Sequence, residues 1–135
     1  MSDTIVAHSP AEAISMLDTF AQAWNRHDIE GLMAAMHQDC IFETAAGAEV
    51  FGSRHVGHAA VRRAFLATFE QFPDAQWRSA RHFVANQRGV SEWTFCATAP
   101  DGSRIEANGV DLFTFLDGKI LIKNVFRKDR PRQPA

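Results

Sequence analysis

Tyrosine is missing from this chain of 135 residues, which carries eleven Phe and three Trp, so no phenol is available to any mechanism. Its two cysteines, Cys40 and Cys96, cannot make a disulfide framework. Both fall in apolar, strand-like context and read as buried thiols rather than a staple, as in a reducing cytoplasm. No stretch approaches the ~20 apolar residues of a membrane span. The first residues lack the basic-then-apolar pattern of a secretory leader, and the cysteine context is what makes a cytoplasmic location the expectation. Neither sign of charge dominates: 14 Lys and Arg face 16 Asp and Glu, for a net charge of −2. That leaves no electrostatic footprint for nucleic acid. The one basic run, Arg127-Lys128-Asp129-Arg130-Pro131-Arg132, has prolines and no aromatics and reads as a solvated terminus. There is no Gly-rich phosphate loop, Walker sequence, nucleophile elbow or Cys-x-x-Cys pair. Linkers, internal repeats and low-complexity segments are also lacking. What remains is one domain over residues 1–135, with its core at about 11–128, long enough to bury roughly two thirds of its unfolded surface.

Within it, helical periodicity comes first. Ser9-Pro10-Ala11-Glu12 has the form of a capping box with Pro at the first helical position. Ile14, Leu17, Phe20, Ala21 and Trp24 then recur at helical spacing to about Arg26. Asp28 caps a shorter helix carrying Ile29, Leu32, Met33 and Met36. A short strand is expected from Cys40 to Thr44, followed by a glycine-containing loop through Gly52. A third helix begins near Gly57, carries Val61, Phe65, Phe69 and Phe72, and stops at Pro73. From Ala75 the period changes to two. Residues 76–86, 90–99, 104–116 and 119–127 are expected as a meander of four long strands, broken by turn signals at Asn86–Gly89, Pro100–Gly102 and Asp117-Gly118. Helices first and strands last is the α+β pattern, with helices packed on one face of a strongly bent, mostly antiparallel sheet.

One residue disturbs the last hairpin. Asp111 stands inside the apolar run Val110-Asp111-Leu112-Phe113-Thr114-Phe115, and stripping water from a carboxylate costs several kcal/mol. The acid must be exposed, be paired, or have a raised pKa that suits it to proton transfer at neutral pH. If Leu116-Asp117-Gly118 is a three-residue loop with Gly118 left-handed, Asp111 faces Lys123; a two-residue loop puts Asn124 opposite instead. A simple cross-strand pair of this kind is worth only about 0.2–1 kcal/mol.

The order helix, helix, strand, helix and four long strands resembles the nuclear transport factor 2-like superfamily, which includes ketosteroid isomerases and SnoaL-like polyketide cyclases. The segments that carry the resemblance are Ala23-Trp24-Asn25-Arg26-His27-Asp28-Ile29-Glu30-Gly31-Leu32, like the family's helix–turn–helix opening, and Gly109 to Phe126, like its last hairpin. The resemblance implies a cone-shaped, cystatin-like α+β barrel, its curved sheet wrapped around three N-terminal helices. It puts Asp111 where a ketosteroid isomerase keeps a neutral aspartic acid in its oxyanion hole. The other isomerase residues do not match. Phe20 stands at the place of the phenolic donor and Thr44 at that of the aspartate base, with Glu43 adjacent. The SnoaL-like branch fits better, because its cyclases rest on an acid–base aspartate. The fold alone does not select a function, since it hosts enzymes, binding modules and assembly partners.

The candidate site follows. Asp111 is the acid–base group, Glu43 the second carboxyl, and Lys123 the residue that tunes Asp111 or stabilises an enolate. Phe20, Trp24, Trp93 and Phe113 would shape a pocket, although a Trp on a strand, here sharing a face with Ser91, Phe95 and Ala97, is more often core. Arg54, His55 and His58 lie at the start of the third helix, where backbone N–H groups could meet an anion. His55-x-x-His58 lacks a third ligand at a metal-binding interval, so no metal is expected. Val110, Leu112 and Leu116 alternate with Asp111, Phe113 and Phe115, leaving both faces of one strand apolar. A second copy packed sheet to sheet is the simplest cover, hence an expected homodimer. The expected activity is a cofactor-independent isomerisation, cyclisation or dehydration that moves a proton next to a carbonyl of a hydrophobic small molecule. The alternative is a non-catalytic dimer that binds a hydrophobic ligand in the same pocket.

Overall fold

The computed structural model describes residues 8–135; the leader pattern weighed above falls on residues 1–7, outside them. Helix α1 spans Pro10–Arg26 and opens with the expected box: Ser9 Oγ accepts from the Glu12 backbone N–H at 3.1 Å, and the Glu12 carboxylate accepts from the Ser9 N–H at 2.8 Å. Its buried stripe is Ala13, Leu17, Phe20, Ala23 and Trp24, whereas Ile14 lies at its edge, 40% exposed. The helix ends at His27, whose φ of 56° turns the chain into α2, Ile29–Ala35, capped by Asp28. Helix α3, His58–Gln71, starts after Gly57 and buries Val61 and Phe65.

The strands are β1 (Met36–Glu43), β2 (Arg54–Val56), β3 (Gln76–Ala85), β4 (Arg88–Thr98), β5 (Arg104–Leu116) and β6 (Lys119–Arg127). They form one sheet in the order β2-β1-β6-β5-β4-β3. Two features differ from expectation. The loop before Gly57 contributes the short edge strand β2, and β1 begins at Met36 and runs parallel to β6 in an otherwise antiparallel sheet. The sheet is therefore mixed, and it is not closed into a barrel, since β2 and β3 are its edges. The three helices pack on its inner face to make an α+β cone, and most of the core lies between α1, α3 and the inner side chains of β1, β5 and β6.

The segment that resembles the family's opening acts as a latch. Asn25 accepts from the Trp77 N–H at 2.7 Å and donates to the Trp77 carbonyl at 3.0 Å, while His27 Nε2 sits 2.8 Å from the Ala75 carbonyl. The end of α1 is thereby fixed to the start of β3. At the other end of the chain Lys128 to Arg132 of the basic run are exposed, as expected, but Arg127 belongs to β6 and lies half-buried over the Phe95 ring, 5.2 Å from its centre. Beyond the run, Gln133 exchanges two backbone hydrogen bonds with Arg104, at 2.7 and 2.8 Å.

Candidate functional site

The hairpin of β5 and β6 sets the geometry of the site, and its register is neither of the two considered from sequence. Asp117 and Gly118 form a two-residue loop in which both have positive φ, 54° and 72°, as an Asp-Gly hairpin turn needs. Leu116 pairs with Lys119 and Phe115 with Ile120, but Thr114 then pairs with Ile122. Leu121 is the extra residue, and this bulge shifts everything beyond it by one. Asp111 therefore lies opposite Val125, and Lys123 opposite Phe113. Lys123 still reaches the acid, as a diagonal neighbour on the same face.

The contact is close. Lys123 Nζ donates to Asp111 Oδ1 at 2.9 Å, with both side chains under a tenth exposed. Trp93 Nε1 donates to the other carboxylate oxygen at 3.0 Å. Gly109, paired with Trp93, makes this possible, since a Cβ there would fall 2.5 Å from the indole edge. The ammonium also sits 4.9 Å from the ring centre of Phe42, 5.0 Å from Trp24 and 5.8 Å from Phe65. A desolvated cation–π contact contributes roughly 2 kcal/mol, so the rings offset part of the cost of burying this charge. Of the three ammonium donors, Asp111 takes one, and no other hydrogen-bond acceptor is found for Lys123 among the described residues.

Two cavities meet at this pair. The larger, about 610 Å³, lies on the inside of the cone, with walls from Trp24, Phe42, Trp77, Trp93 and Phe95 and with the buried Lys123 in its lining. Thr44 to Ala46 and the tail residues Asp129 to Arg132 also line it. The smaller, about 20 Å³, lies behind Lys123 and is lined by Phe20, Ser91, Trp93, Asp111 and Phe113, among others. Asp111 thus faces the small cavity, and Lys123 belongs to both.

The remaining candidates separate. Trp24 and Trp93 line both cavities, and His55 lines the larger one, 5.8 Å from the Phe42 ring in a stacked arrangement. Phe20 and Phe113 are core residues beside the small cavity. Glu43 and Arg54 line neither; they pair with each other at 2.7 Å across β1 and β2, and Arg54 stacks on Phe51. His58 Nε2 lies 3.1 Å from the Met33 carbonyl and ties α3 to α2. No three His, Cys, Asp or Glu side chains gather at metal-binding distance among the described residues. Cys40 and Cys96 are buried and free, and burial pushes the Cys40 thiol up from its ordinary pKa. No described helix is long and apolar enough to cross a membrane.

Comparison with solved structures places this architecture among known folds. A candidate polyketide cyclase from Xanthomonas campestris pv. campestris superposes with a TM-score of 0.77 at 18% identity, over 87% of this chain and 90% of that one. A nuclear transport factor 2-like protein of unknown function from Mesorhizobium loti gives 0.75 at 23%, over 92% and 97%. A candidate isomerase from Bacillus subtilis gives 0.73 at 14%, over 87% of each chain. These likenesses establish the shared fold. No curated protein matches the sequence. The model of the SnoaL-like domain matches residues 17–122, from the middle of α1 into β6, ending one residue before Lys123, and the chain belongs to that family.

Proposed function

We propose that the chain is a cofactor-independent enzyme that moves a proton beside a carbonyl of a hydrophobic small molecule, in an isomerisation, cyclisation or dehydration. The observation that carries this reading is the buried Asp111–Lys123 pair, whose Lys123 lines a cavity of about 610 Å³ walled in part by Trp24, Phe42, Trp77, Trp93 and Phe95. An apolar cavity with a few convergent polar groups is the usual form of a small-molecule site. A carbonyl oxygen entering it would meet the Lys123 ammonium, whose charge is held by Asp111 and screened little by water. Such a fixed cation stabilises the negative charge that develops on an enolate oxygen. Asp111 lies one hydrogen bond behind the wall and takes or returns the proton once the ligand oxygen draws Lys123 forward. The names of two structural relatives, a candidate polyketide cyclase and a candidate isomerase, are compatible with this chemistry.

The simplest probe is 2-tetralone, a two-ring ketone with exchangeable protons beside its carbonyl. Followed by proton NMR in D2O, the wild type is expected to accelerate exchange, and Asp111→Asn to lose roughly 10²-fold or more of that acceleration. A thermal-shift panel of steroids, cyclic enones and aromatic polyketides would then define the substrate class. A specific observation favours the second reading, a non-catalytic binder: the Asp111 carboxylate is already satisfied by Lys123 and Trp93 and faces away from the larger cavity. Panel ligands that bind wild type and Asp111→Asn equally, with no exchange by either, would select the binder. Under both readings the protein works as a homodimer through the outer sheet face, where Val110, Leu112 and the exposed Phe83 and Phe126 gather.

A further inference from the structure

Asp111 belongs to a row of residues in register across the sheet: His82 on β3, Ser91 on β4, Asp111 on β5 and Val125 on β6. The three polar members all turn inward. Ser91 is 4% and Asp111 6% exposed, and the His82 side chain 6%. A polar row inside an apolar cone is costly to bury and calls for a reason. His82 Nδ1 lies 2.7 Å from Ser91 Oγ. Its other nitrogen, Nε2, has no hydrogen-bond partner among the described residues and lies 3.7 Å from Asp18 of α1, whose side chain is 59% exposed. On the opposite side, Ser91 and Asp111 share the cavity of about 20 Å³. A space of about 10–15 Å³ suffices for one water, which needs two to four polar partners. Ser91, Asp111 and Lys123 line this space, and their hydroxyl, carboxylate and ammonium groups are the partners such a water would use.

We propose that Asp18, His82 and Ser91 form a proton path between solvent and the Asp111 carboxylate, completed by one water in the cavity that Ser91 and Asp111 share. It rests on the reading of Asp111 as an acid–base group. For release, protonated Asp111 gives its proton to the water and the water gives one to Ser91 Oγ. Ser91 passes its own hydroxyl proton to His82 Nδ1, and the proton on Nε2 leaves to Asp18 and solvent. Each relay group gains one proton and loses one, His82 gaining at Nδ1 and losing from Nε2 and so changing tautomer, and a single proton crosses with nothing else consumed. Imidazole suits the middle of such a chain because it can accept at one nitrogen and donate from the other. An isomerisation takes one proton and returns one, so the reverse passage resets the chain. Asp111 would otherwise be sealed from bulk water by Lys123, Trp24 and Trp93, and the path opens it on the α1 side of the sheet. His82 and Ser91 are positioning and relay residues here; they do not touch the ligand.

The first test needs no ligand. A high-resolution crystal structure is expected to show one water bonded to both Ser91 and Asp111, and its absence, with no direct bond between the two side chains, breaks the chain and overturns the proposal. The second test is exchange of 2-tetralone protons in D2O. Ser91→Ala and His82→Gln, checked for an unchanged fold by circular dichroism, are expected to lose roughly 10²-fold of the exchange rate. Imidazole added to His82→Ala is expected to return part of the loss, which a packing role would not allow; loss without any rescue overturns the relay. If Asp111→Asn abolishes exchange while Ser91→Ala and His82→Gln exchange normally, the relay alone fails. If Asp111→Asn also exchanges normally, the proposed acid–base role of Asp111 fails with it.

Discussion

Replacing Lys123 by Met tests how the site is built before any substrate is known. Met fills the same space between Trp24, Phe42 and Phe65, so packing is largely kept. What is lost is the 2.9 Å bond to Asp111, leaving a carboxylate only 6% exposed with one neutral donor among the described residues, Trp93 Nε1 at 3.0 Å. Breaking a buried ion pair on one side costs about 3–5 kcal/mol, because the remaining charge stays buried. The Trp93 bond is present before and after the change and keeps the carboxylate partly satisfied, which places the loss at the low end of that range. We therefore expect Lys123→Met to lose about 3 kcal/mol. Removing both charges, as Asp111→Leu with Lys123→Met, should recover most of that loss, since an apolar pair in place of a buried ion pair is often neutral or stabilising by about 1–4 kcal/mol. Urea unfolding followed by tryptophan fluorescence gives both values, provided the slope against denaturant is unchanged. A single-variant loss under about 1 kcal/mol, the range of exposed pairs, with no recovery in the double variant, would refute the reasoning. It would mean that water in the larger cavity already solvates the ammonium.

Two further outcomes can be measured on the same preparations. Asp74 accepts from the Thr98 hydroxyl and the Thr98 backbone N–H, at 2.6 and 2.9 Å, and these bonds hold its pKa below the usual aspartate value. Its contribution to stability is therefore fully present above the ordinary aspartate pKa and is lost as pH falls through the lowered one. The wild-type advantage over Asp74→Asn should be small, because the side chain is about half exposed, and should vanish in strong acid; an advantage that grows in acid contradicts the assignment. On the outer face, Phe126→Asp places a charge on a ring that is 54% exposed. Light scattering after size exclusion should find a dimer for the wild type and a monomer with unchanged circular dichroism for the variant, and a monomeric wild type removes the dimer.

Much of the fold is legible because its signals are local. The Ser9–Glu12 box, the Asp28 cap and the stop at Pro73 are written within a few residues, and each sits where backbone chemistry requires. Asp111 was legible for a related reason: a carboxylate in an apolar strand is anomalous whatever surrounds it. Contacts between distant segments were not. The parallel pairing of β1 with β6 joins residues some eighty positions apart, and nothing in Met36–Glu43 alone names its partner. The Leu121 bulge hides in an unbroken apolar run, so the hairpin could be counted by its loop length alone, and the count failed by one.

That single residue also accounts for the arrangement of the site. Without the bulge, the two-residue Asp117-Gly118 loop would set Asn124 opposite Asp111 and move Lys123 one step out of phase, onto the outer face. With it, Lys123 turns inward beside the acid and among three aromatic rings, and Asn124 pairs with Leu112. The same alternation places Ser91 and His82 on the inner row with Asp111, because β3, β4 and β5 stay in step through that row. His82 and Ser91 gave no signal in sequence, since a lone histidine and a lone serine on strands are common. Their meaning comes from register: once the sheet aligns them with a buried carboxylate and sets His82 Nε2 3.7 Å from Asp18, four separate residues become one polar line from the core to the surface.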